Sequence, residues 1–246
     1  MTGAKQRHFL KYCIGSADTL GLDRTVSSRL QQALAADQAL PGVIWLNGTA
    51  CRGCTGCLAN LDSPGRPSGI ADLLVNYISL ESRPNLETAA GDLAAQALNQ
   101  AIAKDFILAV DGGIPTSFGG QSSVLWTEKG REVTAREVLC TLASRARAIV
   151  TIGNCASFGG TPLGTPNLTG IHSVGTATGR PTVIVPGCPA HPDWVVWTVA
   201  QLLANGSPFV DRNGGPAETF RKDVGLDTRP FMPEDRTRPF FQGEAG

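Results

Sequence analysis

The chain has 246 residues, with 21 Lys and Arg against 21 Asp and Glu and a formal net charge of +0, a balance that excludes a nucleic-acid or polybasic membrane binder, because phosphate-rich partners are held by a surplus of basic side chains. A hydrophobic fraction of 42% excludes disorder, while a charged fraction of 17% falls below the roughly 25% usual for soluble domains and points to a surface partly covered by something else. Seven cysteines, an odd number, cannot all pair in disulfides.

Residues 1–40 have the layout of a degenerate twin-arginine leader, in which Arg7-His8-Phe9-Leu10-Lys11 precedes a weakly apolar stretch and the small-residue site Ala33-Leu34-Ala35. Gln6 stands where the first arginine belongs, and Asp18, Asp23 and Arg24 interrupt the apolar region. Such a leader implies the periplasmic side; a polar extension that stays on a cytoplasmic chain is the alternative reading. From Pro41 onward, short β-branched runs alternate with segments of helical spacing. In chain order these are a strand at Val43–Leu46, helices at Ile70–Asn76 and Ala89–Lys104, and a strand at Phe106–Val110. A helix at Ala135–Arg145 follows, opened by the capping-box spelling Thr134-Ala135-Arg136-Glu137. Strands at Ile149–Ile152 and Val183–Val185 precede a last helix at Asp193–Ala204, with Asp193 the simplest cap. The strands are continuously apolar, as expected of a parallel sheet buried on both faces, so the alternation predicts an α/β doubly wound sheet. After Asn205 the chain turns to Pro, Gly, Arg and Asp, and residues 207–246 read as an irregular C-terminal tail. No run of eighteen apolar residues is present, so no transmembrane helix is expected.

Four cysteines share one setting. Cys51 and Cys54 follow the first strand, Cys155 the third, in Ile152-Gly153-Asn154-Cys155, and Cys188 the fourth, in Val185-Pro186-Gly187-Cys188-Pro189. Loops leaving the carboxyl ends of parallel strands meet in one crevice, so three loops would deliver four thiols to one place. Such a set suits structural zinc or an iron–sulfur cluster. Zinc usually takes two close pairs, whereas here a single Cys-x-x-Cys is completed by lone cysteines about 100 and 134 residues later, which favours the cluster. A competing set, Cys51-x-x-Cys54-x-x-Cys57 with Cys188-Pro189, is ferredoxin-like and leaves Cys155 a bystander. Cys140, inside a predicted helix, reads as a core residue, and Cys13 lies in the leader.

These residues resemble the small subunit of nickel–iron hydrogenases. The matching stretches are Trp45-Leu46-x-Gly48-x-x-Cys51-x-Gly53-Cys54, Ile70-Ala71-Asp72-Leu73-Leu74 to Ile78-Ser79-Leu80-Glu81, and Val110-Asp111-Gly112-Gly113-Ile114-Pro115. They continue with Gly153-Asn154-Cys155-Ala156-Ser157-Phe158-Gly159-Gly160 and Pro186-Gly187-Cys188-Pro189-x-His191-Pro192-Asp193-Trp194, and cover roughly residues 41–206. The resemblance implies a flavodoxin-like domain, one [4Fe-4S] cluster on Cys51, Cys54, Cys155 and Cys188, and a separate hydrogenase large subunit that holds the Ni-Fe centre. This chain would then pass electrons from H2 conversion to a further redox subunit or carrier. An H2-sensing or scaffold subunit with little turnover is the alternative.

Departures accompany the matches. The tail, Val224-Gly225-Leu226-Asp227-Thr228-Arg229-Pro230 and then Phe240-Phe241-Gln242-Gly243-Glu244, resembles the start of the family's second cluster-binding domain without its His and Cys ligands, so one cluster is expected. Thr55-Gly56-Cys57 stands where many relatives carry Ser-Glu, removing a carboxylate suited to proton relay. Gly53 and Gly160 occupy the sites where the oxygen-tolerant variety adds cysteines. His191 beside the Cys188 loop is a candidate donor to a thiolate or partner, against a solvated loop histidine. Arg52 would offset cluster charge or face a partner, and Trp45 and Trp194 read as packing residues.

Overall fold

The computed structural model describes residues 42–61, 80–82, 91–205 and 214–215. The leader, Cys13, the predicted helix at Ile70–Asn76 and residues 216–246 of the tail lie outside the described residues. The chain runs β1 (Gly42–Asn47), α1 (Gly53–Leu58), β2 (Leu80–Ser82), α2 (Asp92–Ala101), β3 (Phe106–Asp111) and β4 (Ile114–Pro115). It continues with the hairpin β5 (Val124–Glu128) and β6 (Arg131–Thr134), then α3 (Ala135–Arg145), β7 (Ala148–Ile152) and α4 (Gly153–Phe158). Last come β8 (Ile171–His172), α5 (Val174–Thr178), β9 (Val183–Val185) and α6 (Pro192–Asn205).

Five strands form a sheet in the order β2-β1-β3-β7-β9, and every pairing within it is parallel. The expected strands are present to within one residue at either end. β3 lies at the centre, and Ile107, Leu108, Ala109 and Val110 are fully buried, because helices cover both faces of the sheet and leave no polar side to alternate. The chain steps from β1 outward to β2, then back past β1 to β3. That reversal opens a crevice beyond the carboxyl ends of β1 and β3, the position where open α/β sheets take ligands.

α3 matches its expected bounds. Ala135, Val138, Leu139, Leu142 and Ala143 form its buried stripe, and the last four pack in the core with Leu108, Val110 and Ile149. Cys140 is exposed, which corrects its reading as a core residue: with Val138, Leu139 and Leu142 turned inward, the 3.6-residue period carries position 140 outward. At the helix end, the Arg180 guanidinium donates from Nη1 to the carbonyls of Ala143 and, at 3.0 Å, Ala146, satisfying acceptors the helix leaves open.

Two antiparallel pieces, β4–β8 and β5–β6, and the short helices α1, α4 and α5 were not expected. The β5–β6 turn places Lys129 at φ 48° and Gly130 at φ 79°, with Glu128 paired to Arg131. This is the geometry of a two-residue primed turn, usually spelled Asn-Gly or Asp-Gly. Here Lys stands in the first position.

Candidate metal centre

Each strand-end loop is short and held by its neighbours. After β1, Arg52 adopts the left-handed conformation at φ 61° as the residue that starts α1, and the Gly53 amide donates to Cys51 Sγ at 3.3 Å. After β7 the chain turns at once into α4, which carries Cys155. The Asn154 amide donates to the Gly187 carbonyl at 2.8 Å, and the Gly187 amide to Asn154 Oδ1 at 2.9 Å. This reciprocal pair ties α4 to the loop of Cys188. From that loop the Ala190 amide donates to Cys54 Sγ at 3.4 Å, so the first and third loops meet at a sulfur.

Glycine is required where the loops touch. A Cβ at Gly153, φ 80°, would stand 2.3 Å from Cys54 Sγ, and one at Gly160, φ 65°, would stand 2.6 Å from Cys155 Sγ. Both glycines also occupy the half of conformational space that L side chains rarely enter.

The thiols sense one another. Cys54 is pushed up to about 12, chiefly by burial, against the lowering effect of the Ala190 amide and with further raising by Asp111, Cys155 and Cys188. Cys155 is raised by burial, then by Cys188, Cys51 and Asp111. Cys54 and Cys155 thus each lie within electrostatic reach of other cysteines on the strand-end loops. Cys57 is raised by burial. Among the described residues no three His, Cys, Asp or Glu side chains converge tightly enough to hold one metal ion. Thiols carried on three strand-end loops are a donor set that an iron–sulfur cluster takes. The two amide-to-sulfur contacts add the donors such clusters use.

Behind the cysteines lies a polar network for which sequence reasoning assigned no role. Asp111 is 1% exposed and Asn47 4% exposed. Asp111 Oδ2 accepts from the Thr55 amide at 3.0 Å and from Thr55 Oγ1 at 2.6 Å; Asn47 Oδ1 lies 3.0 Å from the same hydroxyl. Trp45 Nε1 donates to Thr55 Oγ1 at 3.3 Å, so this buried tryptophan packs under the loop as expected. The available signal was an acid closing an otherwise wholly apolar strand.

His191 lies in the loop that follows Cys188. It precedes Pro192, the first residue of α6, and its Nδ1 accepts from the Asp193 amide at 3.3 Å. The cap of α6 is therefore His191, which corrects the assignment to Asp193. The reason is Pro192, which starts the helix one residue early because it needs no amide partner. Asp193 falls instead in the first turn, where its charge suits the helix dipole. The His191 and Trp194 rings stand 5.9 Å apart, tilted by 50°. Arg52 is exposed, as are Cys51 and Cys188.

Residues 54–202 match the family described as NADH ubiquinone oxidoreductase, 20 Kd subunit. The chain is 32% identical over 240 residues to the periplasmic [NiFe] hydrogenase small subunit of Solidesulfovibrio fructosivorans, covering 97% of this chain and 73% of that protein. It is 34% identical over 218 residues to the quinone-reactive Ni/Fe-hydrogenase small chain of Wolinella succinogenes, covering 87% and 59%. Among solved structures, the fold superposes on the [NiFeSe] hydrogenase of Desulfovibrio vulgaris Hildenborough with a TM-score of 0.65 and 29% identity, over 74% of this chain and 70% of that one.

Proposed function

This chain belongs to the nickel–iron hydrogenase small subunits, within the family of the NADH ubiquinone oxidoreductase 20 Kd subunit, and from that premise we propose that it conducts electrons through one [4Fe-4S] cluster held by Cys51, Cys54, Cys155 and Cys188. It works with a large subunit, to which the Ni-Fe centre is assigned. The observation that carries the reading is the meeting of three strand-end loops at Cys54 Sγ, with Gly153 and the Ala190 amide against it.

The residues divide the task. Cys51, Cys54, Cys155 and Cys188 would supply thiolates to the cluster, and burial, which pushes the Cys54 thiol up, would make its deprotonation depend on ligation. The Gly53 and Ala190 amides orient Cys51 and Cys54 by donating to their sulfurs. Gly153 and Gly160 leave the space that a side chain would fill. When bound, the cluster supplies storage for one electron at a time. Cys51 and Cys188 are exposed, which supports a site open to partners, the large subunit and a further redox subunit or carrier. The sheet order β2-β1-β3-β7-β9 supports the flavodoxin-like description, since parallel neighbours 2-1-3 followed by the two later strands is that fold's order. We read residues 1–40 as an export leader, and a periplasmic location is supported by the relatives named periplasmic. Among the described residues no helix is long and apolar enough to cross a membrane.

Cys155→Ser tests the ligand set in the complex purified with its large subunit. Iron content is expected to drop and H2-dependent dye reduction to stop. Full iron in that variant, with loss in Cys57→Ser, would overturn the set in favour of the ferredoxin-like one.

A further inference from the structure

We propose that Asp111 is a fixed buried charge that lowers the reduction potential of the cluster, and that Thr55 is the positioning residue that holds it there. The inference rests on the ligand set above and concerns residues outside it. Asp111 is the last residue of β3, aligned with Asn47 at the end of β1 and with Ile152 at the end of β7. Its position is thus between the strand that leads to Cys51 and Cys54 and the strand that leads through Gly153 to Cys155. Thr55, which grips its carboxylate through both amide and hydroxyl, is the residue next to Cys54.

The arrangement is costly unless it serves a purpose. Asp111 is 1% exposed, and among the described residues no cation pairs with it. A buried carboxylate loses its hydration, and no ion pair among the described residues offsets that loss. Two hydrogen bonds from one threonine offset part of that loss and fix where the charge sits. Tying α1 to the sheet would not need a charge, because an amide oxygen accepts the same two bonds.

The direction follows from Coulomb's law. Reduction adds one electron and no proton at this site, so it adds one negative charge, and a fixed anion nearby opposes that addition. Amides donating to the sulfurs of Cys51 and Cys54 act in the opposite sense. The potential is set by the balance, and Asp111 is its negative side.

The experiment is a potentiometric titration of the purified two-subunit complex, with dithionite and mediators, followed by the EPR signal of the cluster. Asp111→Asn keeps the shape and an acceptor for Thr55 while removing the charge. The expected result is wild-type iron content with a midpoint potential shifted upward, and a shift that persists at high salt because a buried charge is poorly screened. Thr55→Val keeps the charge and removes its hydroxyl donor, and should shift the potential downward. An unchanged potential in Asp111→Asn at full iron overturns the proposal. If that variant does not assemble, an unchanged potential in Thr55→Val overturns it and a downward shift supports it. Failure of the ligand set looks different, as iron retained in Cys155→Ser.

Discussion

His191 sits between the Cys188 loop and α6, half-buried and with Nδ1 turned to the amide of Asp193. That contact needs an unprotonated nitrogen, and burial holds the imidazole below its ordinary 6.5, partly offset by Asp193 3.7 Å away. The consequence has a definite sign. A group whose folded pKa is depressed contributes stability that is whole above its unfolded value and is lost as pH falls through that value toward the folded one. Urea unfolding should therefore show stability declining from about pH 7.5 to about pH 5.5, around the unfolded imidazole value. His191→Asn, which keeps a capping acceptor that does not titrate, should flatten that decline. An equally steep decline in the variant would remove His191 as its source. Asp193, pushed up by burial, acts in the opposite sense at more acid pH. The sequence marked this stretch as a helix start but chose the wrong capping residue, because an imidazole acceptor is not in the usual alphabet of caps.

At the level of elements, the helix start at residue 134 was legible and only half of its expected chemistry formed. Thr134 Oγ1 accepts from the Glu137 amide at 3.2 Å, as a capping box requires. The Glu137 carboxylate instead takes Arg131 Nη1 at 2.8 Å, across the end of the β5–β6 hairpin, and that hydrogen bond holds it below the usual carboxylate range. The pair is largely exposed and adds little, so the Thr134 contact is the one that stabilises α3. Thr134→Ala should cost about 1 kcal/mol in denaturant unfolding, and Thr134→Ser far less. Equal losses in both would place the effect outside the cap. The hairpin itself escaped the sequence because its turn is spelled Lys-Gly. The short helices α1 and α4 escaped for a different reason: six residues hold too few turns for a periodic pattern.

Across the whole molecule, β3 is the element on which the rest depends. β1 and β7 flank it along nearly its full length, and its side chains pack with α3 and the β4 segment. Leu108 is 0% exposed, so Leu108→Ala should cost about 2–5 kcal/mol. Thermal unfolding is expected to show the loss as roughly 2–4 °C per kcal/mol for a chain of this size. Leu93→Ala, at a position 64% exposed, should stay within about 0.5 kcal/mol. A comparable loss at both positions would contradict the central place of β3.

The sequence by itself determined β1, β3, β7 and β9 and the glycines that follow them, because apolar runs without alternation have one stable place, the middle of a covered parallel sheet. It also determined that Cys51, Cys54, Cys155 and Cys188 each leave a strand by a loop. Only the tertiary structure decided which loops meet. Strand order is a long-range property set by how helices pack on the sheet, and it brings the loops that follow β1, β7 and β9 to one crevice. The same order places Asp111 among them, since an acid closing a strand is a surface residue or a buried charge according to the strands that flank it.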